Sequence, residues 1–61
     1  MNNQLEWWGY KHIRGTYQAK RYFEPLDIKE AKESPFCEQV VGPFLAEDRE
    51  DALYQVKYLT D

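Results

Sequence analysis

Cys37 and His12 are the chain's one cysteine and one histidine, and together they form its only thiol–imidazole pair. Nucleophilic catalysis needs such a thiol within reach of a base that a third group orients. No motif around either residue supplies that third group. Cys37, next to Phe36 and ahead of a strand-like run, reads as a small packing residue, and His12, near a turn, reads as an exposed one. One thiol and one imidazole do not complete a four-ligand zinc site, and a single cysteine closes no intrachain disulfide. Glu47, Asp48, Glu50 and Asp51 are consecutive apart from Arg49. They could suggest paired carboxylates for acid–base work or a divalent-cation site, but no glycine-bearing calcium-loop spacing surrounds them. Acids at the start of a helix explain them. Gly9, Gly15 and Gly42 are too scattered to cradle a phosphate. The expectation is a non-enzymatic chain with no catalytic residues, no metal and no cofactor.

The aromatic residues are more informative. Six of them, Trp7, Trp8, Tyr10, Tyr17, Tyr22 and Phe23, flank Arg14-Gly15. The two strand-like runs, Leu5–Ile13 and Thr16–Glu24, predict a β-hairpin in which Gly15 supplies the positive φ of a tight turn. With a two-residue loop, Ile13 faces Thr16, Tyr10 faces Ala19, Trp8 faces Arg21 and Trp7 faces Tyr22. Period-two alternation then gathers Trp8, Tyr10, His12, Tyr17, Ala19, Arg21 and Phe23 on a core face. Trp7 and Tyr22 form a cross-strand pair on the outer face, beside Lys11 and Lys20. Aromatic platforms with flanking cations are how sheets bind single-stranded nucleic acid. A sequence pI near 5.0 opposes that reading, because an acidic domain repels a polyanion.

Beyond the hairpin, Pro25 stops the second strand. Asp27 and Glu30 have capping-box spacing and predict a short helix over 27–33, ended by Ser34-Pro35. Phe36–Glu47 predicts a third strand, bent or at an edge where Gly42-Pro43 interrupts it. Arg49, Ala52, Leu53, Val56 and Leu59 follow helical spacing and predict a C-terminal helix with one apolar stripe. The order β-β-short α-β-α predicts an α+β fold: a three-stranded antiparallel sheet with the C-terminal helix on one face. The expected organisation is a single domain, 1–61.

A domain this small buries only about 60 % of the surface its unfolded chain exposes, so large aromatic side chains or self-association must supplement its core. Disulfide-free composition, no signal-peptide pattern and no long apolar run predict a cytoplasmic location.

Charge is divided unevenly. Residues 1–23 carry Lys11, Arg14, Lys20 and Arg21 against Glu6, a net +3, while residues 24–61 carry a net −6. Glu24, Asp27, Glu30, Glu33, Glu47, Asp48, Glu50 and Asp51 could form a negative surface that occupies a protein's basic, nucleic-acid-binding groove, with electrostatic steering speeding the encounter. The candidate partner-binding residues are these eight acids together with Trp7 and Tyr22. The expected partner is a host protein or complex; the alternatives are a single-stranded nucleic acid bound by the basic aromatic hairpin and a structural role as a homodimer or larger homo-oligomer, with no role for a membrane.

The spacing W-G-Y-x-H-x-x-G-T-x-Q-x-K-R-Y-F-x-P-x-D-I from Trp8 to Ile28 is followed by E-S-P-F at Glu33–Phe36. V-x-G-P-F-x-A-x-x-R-E-x-A-L then runs from Val40 to Leu53. This arrangement resembles small orphan proteins encoded by bacteriophages and prophages. The resemblance transfers no activity and no functional residue. It implies a phage product, and by analogy of class an inhibitor of a host defence complex.

Overall fold

The structure is a computed structural model that describes residues 4–60. Five elements follow one another: β1 (Leu5–His12), β2 (Tyr17–Arg21), α1 (Pro25–Glu33), β3 (Cys37–Ala46) and α2 (Arg49–Thr60). The strands form an antiparallel sheet in the order β2-β1-β3. This is the α+β fold expected, with α2 packed across one face of the sheet. The short helix α1 packs against the opposite face.

The hairpin turns on three residues rather than two. The Gly15 N–H donates to the His12 carbonyl at 2.8 Å and the His12 N–H to the Thr16 carbonyl at 2.7 Å, leaving Ile13, Arg14 and Gly15 as the loop. Gly15 has φ of 92°, the left-handed residue that closes a three-residue hairpin. The extra loop residue moves the register by one. Trp7 therefore pairs with Arg21, Gly9 with Ala19 and Lys11 with Tyr17. A shift of one residue turns every side chain of β2 to the other face relative to β1, so the expected core face does not exist as such. Trp7, Tyr17 and Ala19 pack beneath α2, whereas Trp8, Tyr10 and Tyr22 pack with α1. Arg21 and Phe23 are exposed.

β3 runs unbroken through Gly42-Pro43, whose peptide bond is cis. Trp7 pairs with Phe44 and Gly9 with Val41, so Gly42 and Pro43 together stand opposite Trp8. That is a bulge, two residues against one. It restores the parity of the strand: Val41 and Phe44, which simple alternation would send to opposite faces, both reach the α2 side, while Val40 reaches the α1 side. Gly42 has φ of 130°, and a Cβ there would lie 2.7 Å from the Cβ of Trp8. Backbone geometry and space both require glycine at this position.

α1 starts two residues before its expected boundary. Pro25 occupies the first turn and Glu24 stands at the N-cap, without a side-chain cap bond; Asp27 lies in the first turn and is not the cap. Proline's fixed φ suits that opening position. Ile28 and Ala31 are the residues that α1 buries.

α2 begins at Arg49, as its acidic lead-in suggests, but its buried line is Ala52, Val56 and Thr60. Leu53 packs at the margin of this core and Leu59 is exposed, so the inward face is rotated from the expected stripe. The Thr60 hydroxyl donates to the Val56 carbonyl at 2.8 Å, which satisfies it inside the helix.

Val56 sits directly over Gly9. A Cβ at Gly9 would collide with Val56 Cγ2 and with the Gln18 carbonyl oxygen. Gly9→Ala is therefore expected to destabilise the fold by about 1–3 kcal/mol, the range for overfilling a packed core. Urea unfolding would show a lower midpoint at unchanged slope. An unchanged midpoint would mean that α2 is not seated on Gly9.

Candidate partner-binding surfaces

The exposed aromatic pair expected on the hairpin is absent, because the register places its members on opposite faces. Trp7 is only 8 % exposed and its indole N–H donates to the Ala46 carbonyl at 3.1 Å. Its neighbour across the strands is Arg21, whose guanidinium carbon lies 5.7 Å from the Trp7 ring and 5.3 Å from the Phe23 ring. Tyr22 is half-buried beside the Trp8 cluster. The two rings therefore offer no common platform on which bases could stack.

The acidic residues divide between two helices on opposite faces of the sheet. β2 ends at Arg21, opposite Trp7, and β3 ends at Ala46, opposite Leu5. Both helices consequently depart from the same end of the sheet, so their acidic first turns flank that end from its two sides. Glu24, Asp27, Glu30 and Glu33 belong to α1 and its N-cap, while Glu47, Asp48, Glu50 and Asp51 belong to the start of α2. They do not form one continuous row.

Two of the eight acids hold the helix start together. Asp48 Oδ1 accepts the Asp51 N–H at 2.9 Å and Asp51 Oδ2 accepts the Glu47 N–H at 3.2 Å, a reciprocal arrangement like a capping box. Asp27 is half-buried. Glu24, Glu30, Glu33, Glu47 and Glu50 are exposed, and none of them enters an ion pair among the described residues.

Basic residues gather toward the hairpin turn. Lys11 and Lys57 approach the Tyr17 ring, with Nζ 6.0 and 5.7 Å from its centroid, and Lys11 also pairs with Glu38 at 3.8 Å. Because α2 follows Ala46 at one end of the sheet and brings Lys57 to Tyr17 near the other, its side of the molecule carries Lys11 and Lys57 at one end and, at the other, Glu47, Asp48, Glu50 and Asp51 together with Arg21 and Arg49.

Sequence reasoning missed Tyr54 and Tyr58. They are 70 % and 77 % exposed, one turn apart on the side of α2 away from Ala52 and Val56. The signal was present as an i, i+4 aromatic pair off the apolar stripe.

His12 and Cys37 are paired across β1 and β3. The His12 ring stacks on Phe36 at 6.1 Å and its Nδ1 accepts the Arg14 N–H at 3.1 Å, while Cys37 packs against the Trp8–Ile28 cluster. Each is thus accounted for by local structure. Among the described residues there is no pocket, no group of three or more His, Cys, Asp or Glu side chains placed to hold a metal ion, and no helix long and apolar enough to cross a membrane. No protein-family model, curated protein or solved structure matches this chain.

The capping geometry separates structural acids from available ones. Asp48→Ala should cost about 0.5–2 kcal/mol through loss of the N-cap. Glu47→Ala, at an exposed side chain beside it, should stay within about 0.5 kcal/mol. Thermal melts of the two variants side by side would test this, and equal shifts would remove the distinction.

Proposed function

We propose that this chain is a non-enzymatic binding protein whose exposed carboxylates dock on a basic, nucleic-acid-handling surface of another protein and block it. The observation that carries the reading is the set of exposed glutamates, Glu24, Glu30, Glu33, Glu47 and Glu50, which no internal ion pair consumes among the described residues. Each is exposed to water in the free protein. A partner's Arg or Lys can then meet it without first breaking a bond within the fold, and steered encounter of this kind weakens as salt rises. The chain's resemblance to phage orphan proteins makes a host complex, a defence complex among them, the natural target class.

Reading the hairpin as a single-stranded nucleic-acid platform has less support, since Trp7 is buried and Tyr22 lies on the other face. The separation of the acids onto two faces allows two modes of contact. α1 and the first turn of α2 would straddle a ridge, or one of them alone would lie in a groove.

Glu30 and Glu33 lie on α1 away from its buried residues Ile28 and Ala31. Reversing both to Lys should leave the melting temperature nearly unchanged, since exposed substitutions usually cost within about 0.5 kcal/mol. Capture of a specific partner from nuclease-treated bacterial lysate should fall sharply, and wild-type capture should decline as salt is raised. Capture that ignores both salt and the reversals would sink the carboxylate reading. Capture lost on nuclease treatment would favour a nucleic acid instead.

A further inference from the structure

The outward side of α2 reads as its own complement when reversed. Glu50, Tyr54, Lys57 and Tyr58 are all exposed and follow at i, i+4, i+7 and i+8: the two tyrosines stand opposite Ala52 and Val56, and Glu50 and Lys57 share one flank beside them, with Lys57 Nζ over the Tyr17 ring. Set against a second copy running the opposite way, Tyr54 meets the partner's Tyr54. Glu50 then meets the partner's Lys57, and Lys57 meets the partner's Glu50. From this self-complementarity we propose that two copies of this chain associate through antiparallel α2 helices about a two-fold axis.

Three observations favour a second copy as the occupant. The contact closes on itself, because a two-fold axis repeats each pairing on both sides. Opposed helix macrodipoles add to the attraction, since the acid-bearing start of one helix lies beside the base-bearing end of the other. Off the helix, Lys11 adds a cation beside Tyr17 at the Lys57 end of this side, and Glu47 adds a carboxylate at the Glu50 end, where Arg21 also lies. A stripe of acids and tyrosines alone would suit any basic surface, but the lysine at this spacing favours its own copy.

The size of the surface sets the strength. Tyrosines bury about 150–250 Å² each at most, so the four in a dimer bring the contact only toward the low end of the roughly 1,200–2,000 Å² of stable interfaces. The association is weak, concentration-dependent and salt-sensitive. It does not rest on the proposed function, whose test uses Glu30 and Glu33 on the other helix.

Sedimentation equilibrium of the full chain, over rising protein concentration and at low and high salt, is the test. The expected result is a reversible dimer that loosens as salt increases. Tyr54→Ser with Tyr58→Ser should leave the melt unchanged and remove the dimer. Glu50→Lys alone and Lys57→Glu alone should each weaken it roughly tenfold, by setting like charges opposite one another twice per dimer. An equimolar mixture of those two single variants should associate again, since every facing pair then has opposite sign. Should Lys57→Glu lose its fold with its Tyr17 contact, Glu50→Lys and the tyrosine variant still decide. A wild-type chain that stays monomeric throughout, a dimer indifferent to these changes, or a mixture of two folded variants no stronger than either alone overturns the proposal.

Discussion

Two adjacent tryptophans in the central strand must point in opposite directions, and the remainder of the fold is arranged to cover both. Successive side chains of a strand alternate faces, so Trp7 and Trp8 each need a separate apolar shelter. Trp7 finds it among Ala19, Ala46, Ala52 and Val56, beneath α2. Trp8 finds it with Ile28 and Ala31, beneath α1. The two small cores share one strand as their common wall. This explains why the short helix is more than a connector: without it, Trp8 would face water. It also explains the alanines, since Ala19, Ala46 and Ala52 are almost wholly buried and leave room for the indole. The two rings differ in one respect. Trp7 donates its N–H to a carbonyl, whereas the buried Trp8 Nε1 meets no acceptor among the described residues.

The order of elements, the fold class and the extent of α2 were legible because they depend on local signals: Gly15 in a turn, Pro25 and Pro35 bracketing a helix, acids ahead of Arg49. Register was not legible. Arg14-Gly15 suits a two-residue loop as well as the last two positions of a three-residue one, and the choice turns on a single residue. That one step moved Tyr22 away from Trp7 and cancelled the exposed aromatic pair. The parity change at Gly42-Pro43 was hidden for a related reason. Proline announced an irregularity there, but nothing in its neighbours said that two residues would stand against one. The rotation of α2 was missed because Thr60 looked polar and Leu59 apolar, whereas a hydroxyl bonded to its own helix is readily buried.

The candidate surfaces follow the same logic. The acidic residues were visible as a set, yet the fold sorts them by task. Asp48 and Asp51 are committed to backbone N–H groups at the start of α2, while the glutamates around them extend into solvent. Side-chain length underlies the division: aspartate reaches its own helix terminus readily, and glutamate places its charge farther out. The proposed contact with a basic partner and the proposed self-association overlap at the start of α2, where Glu47 and Glu50 serve both, while Glu24, Glu30 and Glu33 belong to the first alone. A dimer would enclose Glu50 and leave Glu24, Glu30 and Glu33 open.

The bulge at Gly42 and Pro43 has a consequence for the rims of the sheet. An outermost strand with unpaired amides is a template on which another chain can grow, and indefinite growth ends in fibres. β3 is the long outer strand here, but the bulge and a residue lacking an N–H divide its free margin into two short stretches. β2, on the opposite margin, spans only Tyr17–Arg21 and carries Lys20 and Arg21. Neither rim offers a long flat ladder. A protein with so many exposed large apolar side chains thus presents little edge on which a further strand could grow.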